Sequence, residues 1–273
     1  MLGKLVKHQL RDTVRIIPLA LIAVAFFLGL TIIAAQAGAH GLTAISASFL
    51  LFLGFAVMYF AIGYCVFRFY KSVYGAEGYL TMTLPVTEKQ VYASWAITGV
   101  IWIVVGTIVA LASYYFGMDA LLSLSPHTDH ATEELAMIMG VHFKVIMILG
   151  VLFGSLLILI DLYFCITLAH VKPFRKLGLG SAVLAYIALY GIHTLVSLPL
   201  TFYVPLSLQH TPGTGWELVN VTMSSAMPDM VRSTAHAPAP VTIGIAAFFW
   251  YIVPLIIMPV ITVWLMKKKI NLK

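Results

Sequence analysis

Six long runs of apolar residues dominate this chain, and they decide what it can fold into. They fall at about 16–38, 42–66, 92–116, 142–168, 179–203 and 241–266. A helix needs about 20 apolar residues to cross a hydrocarbon core of about 30 Å. A membrane barrel would instead show alternating segments of roughly ten residues. The runs here are continuous, so the sequence predicts a single all-α membrane domain over 1–273 with six transmembrane helices. Only 10% of the residues are charged, against about 25% in a soluble domain. That is too little charge to cover a water-exposed surface, and lipid must be the solvent. The first apolar run is too long for the core of a signal peptide, and no small-residue cleavage site follows it. It is read as a retained span. Cys65 and Cys165 lie within apolar runs and are read as packed, reduced thiols rather than as a disulfide or a metal site.

Basic residues set the orientation. Lys4, Lys7, Arg11 and Arg15 precede span one, and Arg68, Lys71 and Lys89 lie between spans two and three. Lys172, Arg175 and Lys176 lie between spans four and five, and Lys267, Lys268, Lys269 and Lys273 follow span six. Of the 16 Lys and Arg, only Lys144 and Arg232 fall on the other side. The acids Asp119, Asp129, Glu133, Glu134, Glu217 and Asp229 lie there too. The basic side is therefore expected to be cytoplasmic, with both termini on it. Its positive charge reads as topology and as a face suited to anionic lipid headgroups, not as a nucleic-acid site.

Four pieces lie outside the spans. Residues 1–15 place Leu2, Leu5, Val6, Leu10 and Val14 near one helical face, which predicts an amphipathic helix on the inner leaflet. The first outer loop, around Gly38–Gly41, is short enough to make spans one and two a tight hairpin. Residues 117–140 and 204–240 form larger outer loops. Pro205, Pro212, Pro228, Pro238 and Pro240 argue against a long helix in the second.

The inner stretch from Arg68 to Trp95 carries most information. Gly75 and Gly78 can take backbone angles that a Cβ forbids, so the helix leaving span two is expected to break there. Pro85 disfavours helix at Leu84. Thr87 and Gln90 form a capping-box pattern that starts the next helix. Between them, Tyr79, Leu80, Met82 and Leu84 are apolar yet lie outside the spans. Such groups need either the headgroup region or a partner surface, and both readings stay open on physical grounds.

The order Phe69-Tyr70-Lys71, Tyr74-Gly75-x-Glu77-Gly78-Tyr79-Leu80 and Thr83-Leu84-Pro85-Val86-Thr87 resembles a signature of small bacterial ABC exporter permeases. These are six-span subunits whose ATPase is a separate chain. The basic N-terminus and the ending Lys267-Lys268-Lys269-Ile270-Asn271-Leu272 are similar too. The topology match covers the whole chain, and the specific motif covers about twenty residues. The resemblance implies a coupling helix within 69–90, seated in a groove of an ABC-type ATP-binding subunit. Tyr74, Gly75, Glu77, Gly78, Tyr79, Leu80, Leu84 and Pro85 would form that contact, with Glu77 its polar member and Tyr74, Tyr79 and Leu80 its apolar anchors. It further implies a second permease copy or paralogue, a bacterial plasma membrane, and export of, or resistance to, peptide antibiotics and other amphiphiles. ATP and Mg would be held by the partner. This chain has no Gly-x-x-x-x-Gly-Lys-Ser/Thr and is expected to be a non-catalytic subunit with no cofactor of its own.

Two ionisable residues sit inside predicted spans. Asp161 in span four must face protein or water, or be protonated, because a carboxylate at a helix centre costs about 2.5–3.5 kcal/mol. It is read either as an interhelical hydrogen bond to a Ser, Thr or Tyr, or as part of a cargo or proton path. His193 in span five is read either as a neutral interhelical hydrogen bond or as a protonation switch. Together they support a rival reading, a standalone secondary transporter or channel, which the absence of inverted sequence symmetry disfavours. An intramembrane enzyme finds no His-Glu-x-x-His or Gly-x-Ser-x-Gly motif. His127, Asp129, His130, Glu133 and Glu134 crowd one outer loop and are read as a solvated acidic loop, not a metal site. Gly150 and Gly154 form a Gly-x-x-x-Gly pair that permits close helix approach.

Overall fold

A computed structural model describes residues 2–75, 77–78, 85–124, 141–171, 174, 177–211, 215–232 and 241–268. It is mostly helical. The elements are α1 (Leu2–Thr13), α2 (Ile17–Gln36), α3 (His40–Val73), α4 (Glu88–Leu122), α5 (Val141–Ala169), α6 (Leu179–Tyr203), β1 (Ser207–Thr211), β2 (Gly215–Val219), α7 (Met223–Arg232), β3 (Val241–Gly244) and α8 (Ala246–Lys268). Among the described residues, six helices are long and apolar enough to cross a membrane: α2, α3, α4, α5, α6 and α8.

Local chemistry explains the boundaries. Pro18 opens α2, where its fixed φ suits the first turn. Gly38 takes φ 66° in the turn between α2 and α3, a conformation only glycine adopts freely, and this closes the expected hairpin. At the start of α4, the Gln90 N–H donates to Thr87 Oγ1 at 3.4 Å, and the Thr87 N–H donates to Gln90 Oε1 at 3.2 Å. The capping box read from the sequence is formed. Within the spans, Thr31, Thr98, Thr167 and Thr262 return their hydroxyls to the carbonyls four residues back. That satisfies a polar group where lipid offers no partner.

The predicted spans need two corrections. Helix α3 (His40–Val73) runs well past the C-terminal end of 42–66, and α4 (Glu88–Leu122) runs several residues beyond 92–116 at both ends. Residues 241–244 are strand, not the start of span six, because Val241-Thr242-Ile243 is a β-branched run with a strand to pair with. The described residues between α6 and α8 therefore hold more than a proline-broken loop, and the fold is all-α only within its spans. β1 pairs antiparallel with β2 and with β3, giving the order β2-β1-β3.

Packing centres on α3 against α4, with α2 on α3 and α1 on α4. Bare glycine backbone makes the α3–α4 approach possible: a Cβ at Gly106 would sit 3.1 Å from Met58 Cα. α5 joins this pair to α6 and α8. The main core cluster gathers Ile17, Phe69, Val91, Trp95, Tyr163, Ala169, Ala182 and Met266. The N-terminal helix, the end of α3 and start of α4, the end of α5 and start of α6, and the end of α8 consequently meet at one end of the bundle. Cys65 and Cys165 are buried free thiols.

Candidate functional site

Two constellations stand out, one at the basic end of the bundle and one inside the spans. At the basic end, α3 stops at Val73 and the chain turns. The Gly75 N–H donates to the Tyr70 carbonyl at 3.0 Å, and the Gly78 N–H donates to the Gly75 carbonyl at 2.9 Å. Neither glycine has a positive φ, which corrects the reason expected for them. Their role is steric. A Cβ at Gly75 would lie 2.8 Å from the Lys71 carbonyl oxygen, and one at Gly78 would lie 2.5 Å from that of Val73. The missing side chains let the elbow fold back onto the end of its own helix.

Tyr74 points inward. Its hydroxyl donates to Thr167 Oγ1 at 2.9 Å. Its ring stacks on His170 at 4.2 Å and meets Phe69 edge-on at 5.9 Å. Burial holds its phenol well above the ordinary tyrosine value, with the Thr167 hydrogen bond acting the other way. Tyr74 thus fastens the elbow to the end of α5. Glu77 meets Lys71 Nζ at 3.1 Å and Arg68 Nη1 at 4.0 Å, and Arg68 also pairs with Asp12 of α1. One guanidinium therefore touches acids from two different segments. Lys71 and Glu77 are about half exposed, so that link is weak in energy; the Arg68–Asp12 pair is better covered. Pro85 is exposed just before α4. Tyr79, Leu80 and Leu84 lie outside the described residues, as do Met82 and the loop holding His127, Asp129, His130, Glu133 and Glu134.

The N-terminal segment is helical as α1, but the centre of its docked face is polar. Gln9 and Thr13 are its buried residues. The Gln9 amide lies 2.7 Å from the Ser94 hydroxyl and 3.1 Å from the Thr98 hydroxyl. The Trp102 Nε1–H donates to Thr13 Oγ1 at 2.8 Å. Leu2, Leu5, Val6 and Leu10 are only half-buried beside this seam, and Val14 is exposed. Sequence reasoning missed Gln9, Thr13, Asp12 and Arg68. A usable signal was present for one of them: Asp12 is the one acid within the basic 1–15 segment.

Inside the spans, the structure brings together the two ionisable residues that the sequence singled out separately. Asp161 of α5 and His193 of α6 are 6% and 8% exposed. Asp161 Oδ2 lies 3.4 Å from His193 Nε2. The approach has the distance of a pair without the alignment of a hydrogen bond, and among the described residues Asp161 Oδ1 and His193 Nδ1 also lack hydrogen-bond partners. Asp161 thus meets a histidine of another helix, and the hydrogen bond to a Ser, Thr or Tyr expected of it is not formed among the described residues. Trp250 and Tyr251 of α8 present their rings to His193 at 6.2 and 6.3 Å. One helical turn before Asp161, a cleft of about 370 Å³ opens between α3, α5 and α8. Phe55, Met58, Tyr59, Ile158 and Phe248 line it, together with Gly150 and Gly154. A Cβ at Gly154 would meet nothing within 4 Å, whereas one at Gly150 would lie 3.7 Å from the Phe248 ring of α8, so only the Gly154 end of the Gly-x-x-x-Gly pair faces open space.

No family model, curated protein or solved structure matches the chain.

Proposed function

We propose that this chain is the membrane-spanning permease subunit of a bacterial ATP-driven exporter, working with a separate ABC-type ATP-binding subunit and a second permease copy or paralogue. In this reading it lies in the plasma membrane with both termini in the cytoplasm. ATP and Mg belong to the partner chain, and this one performs no catalysis. The observation that carries the reading is the junction at Arg68. A single side chain of α3 contacts Asp12 of α1 and approaches Glu77 of the elbow, while Tyr74 ties the same elbow to α5. A segment held this way delivers an external push to three helices at once. That is what a coupling helix between Tyr74 and Pro85 requires. ATP binding closes the paired ATPases, their motion displaces the elbows, and two permeases rock between inward-open and outward-open states. The cargo is an amphiphile such as a peptide antibiotic or drug.

The test is co-purification from the native membrane followed by a coupling assay. An ATP-binding protein should be retained, and replacing Glu77 and Tyr79 with alanine should leave hydrolysis running without transport. Retention of no such protein before detergent extraction overturns the reading. Retention with unchanged coupling removes the site assignment alone.

The Asp161–His193 contact favours a second reading, a gradient-driven secondary transporter or channel. An intramembrane ionisable pair on two different helices is the usual mark of an ion or proton path. It predicts flux from an ion gradient in liposomes holding this chain alone, abolished by Asp161→Asn.

A further inference from the structure

We infer that the outward face of α1 is a binding surface for anionic phospholipid headgroups. Lys4, Lys7 and Arg11 are spaced by three and four residues, which puts them on one side of the helix, and Arg15 follows four residues later in the turn before α2. All four are exposed. Gln9 and Thr13, which dock on α4, fall on the opposite side at 100° per residue. The docking therefore fixes the rotation of α1. Four hydrogen-bonding groups, the Ser94 and Thr98 hydroxyls, the Trp102 N–H and the Thr13 hydroxyl, hold the polar seam inward, so the cationic stripe must face away from the bundle. Among the described residues, the ion pairs of this end involve Asp12, Arg68, Lys71, Glu77 and His8, and none uses the stripe.

The choice of lipid as occupant follows from where α1 ends. Four residues after Thr13 the chain enters α2, a span, and Val14 and Ile16 in that turn are exposed apolar residues flanking Arg15. This is the pattern of a membrane boundary, apolar groups at the acyl border with a guanidinium at phosphate level. α1 is about 18 Å long, so the stripe starts at the headgroups and extends no more than about 20 Å from them. A basic residue near an anionic leaflet gains about 1 kcal/mol, roughly a fivefold preference. That gain fades over a Debye length of about 8 Å. Arg15 and Arg11 lie within that reach however α1 tilts. Lys7 and Lys4 contribute only when the helix lies along the surface. The inference rests on the membrane-spanning fold and not on the ATP-driven reading.

The experiment uses the full chain in nanodiscs of mixed phosphatidylcholine and phosphatidylglycerol, with the lipids retained after detergent extraction read by native mass spectrometry. Wild type should retain phosphatidylglycerol over phosphatidylcholine. Lys4→Gln/Lys7→Gln/Arg11→Gln should lower that preference by roughly fivefold or more, and added salt should lower it in wild type. Lys4→Arg/Lys7→Arg keeps the charge and should keep the preference, which separates lost charge from lost folding. Equal preference in wild type and the triple glutamine variant overturns the inference. So does a variant that keeps its phosphatidylglycerol but loses a co-purifying acidic protein, since the stripe is then a protein-docking surface.

Discussion

The contact between Asp161 and His193 makes a quantitative prediction for a double-mutant cycle. The perturbations are Asp161→Asn, His193→Gln and the two combined. Were both groups charged, Coulomb attraction at 3.4 Å and an effective dielectric of 20 would reach about 5 kcal/mol. Each ion, however, would lose several kcal/mol of hydration on burial, and the two side chains are only 8% and 11% exposed. A separated charge on either helix is worse still, because among the described residues neither group has another ion-pair partner. The pair is therefore expected to act as a net-neutral interhelical contact. Such contacts in membranes couple by about 0.6 kcal/mol on average and about 1.7 at most. The expected coupling is about 1 kcal/mol, with each single substitution costing most of what the double costs. The assay is reversible unfolding of the four proteins in mixed micelles, followed by tryptophan fluorescence, since Trp250 adjoins the pair. Single effects that add to within about 0.5 kcal/mol show two independent sites and refute the contact. A coupling near 5 kcal/mol refutes the neutral assignment instead.

Two further outcomes test the basic end of the bundle. Thr13→Val removes the acceptor of the buried Trp102 N–H and should cost about 1–3 kcal/mol, read as faster protease cleavage between α1 and α2, whereas Lys4→Gln should leave that rate unchanged. Tyr74→Phe loses the 2.9 Å hydrogen bond to Thr167 and should cost about 1 kcal/mol at neutral pH. The folded phenol sits above its unfolded value of about 10, so its contribution is complete below that pH and is lost as pH rises beyond it. Melting temperature above pH 10 should then fall more steeply in wild type than in Tyr74→Phe, and parallel curves would show that the ring is not buried.

Much of the architecture follows from one-dimensional pattern. The six spans, the Gly38 hairpin and the Thr87 cap are local matters: the number of apolar residues needed to cross lipid, one positive φ, and two hydrogen bonds within four residues. Asp161 and His193 could be picked out one by one for a similar reason, since an ionisable residue in an apolar run is conspicuous wherever its helix goes. Their pairing was not legible, because it depends on the rotation of α5 and α6 about their axes. The same holds for α1. Its apolar residues suggested a membrane-facing stripe, yet Gln9 and Thr13 are buried because α4 offers Ser94, Thr98 and Trp102 at matching height. The close approach of α3 and α4 uses Gly106, while the more conspicuous Gly150 and Gly154 border a cleft. Sequence alone thus determined that this is a six-span helical protein and roughly where each span lies, since backbone sterics and transfer from water act residue by residue; the lengths of α3 and α4 and the strand before α8 it did not. Which side chains meet, Asp161 with His193 and Arg68 with both Asp12 and Glu77, only the tertiary structure decided, because helix rotation and tilt are set by the packing of the whole bundle at once.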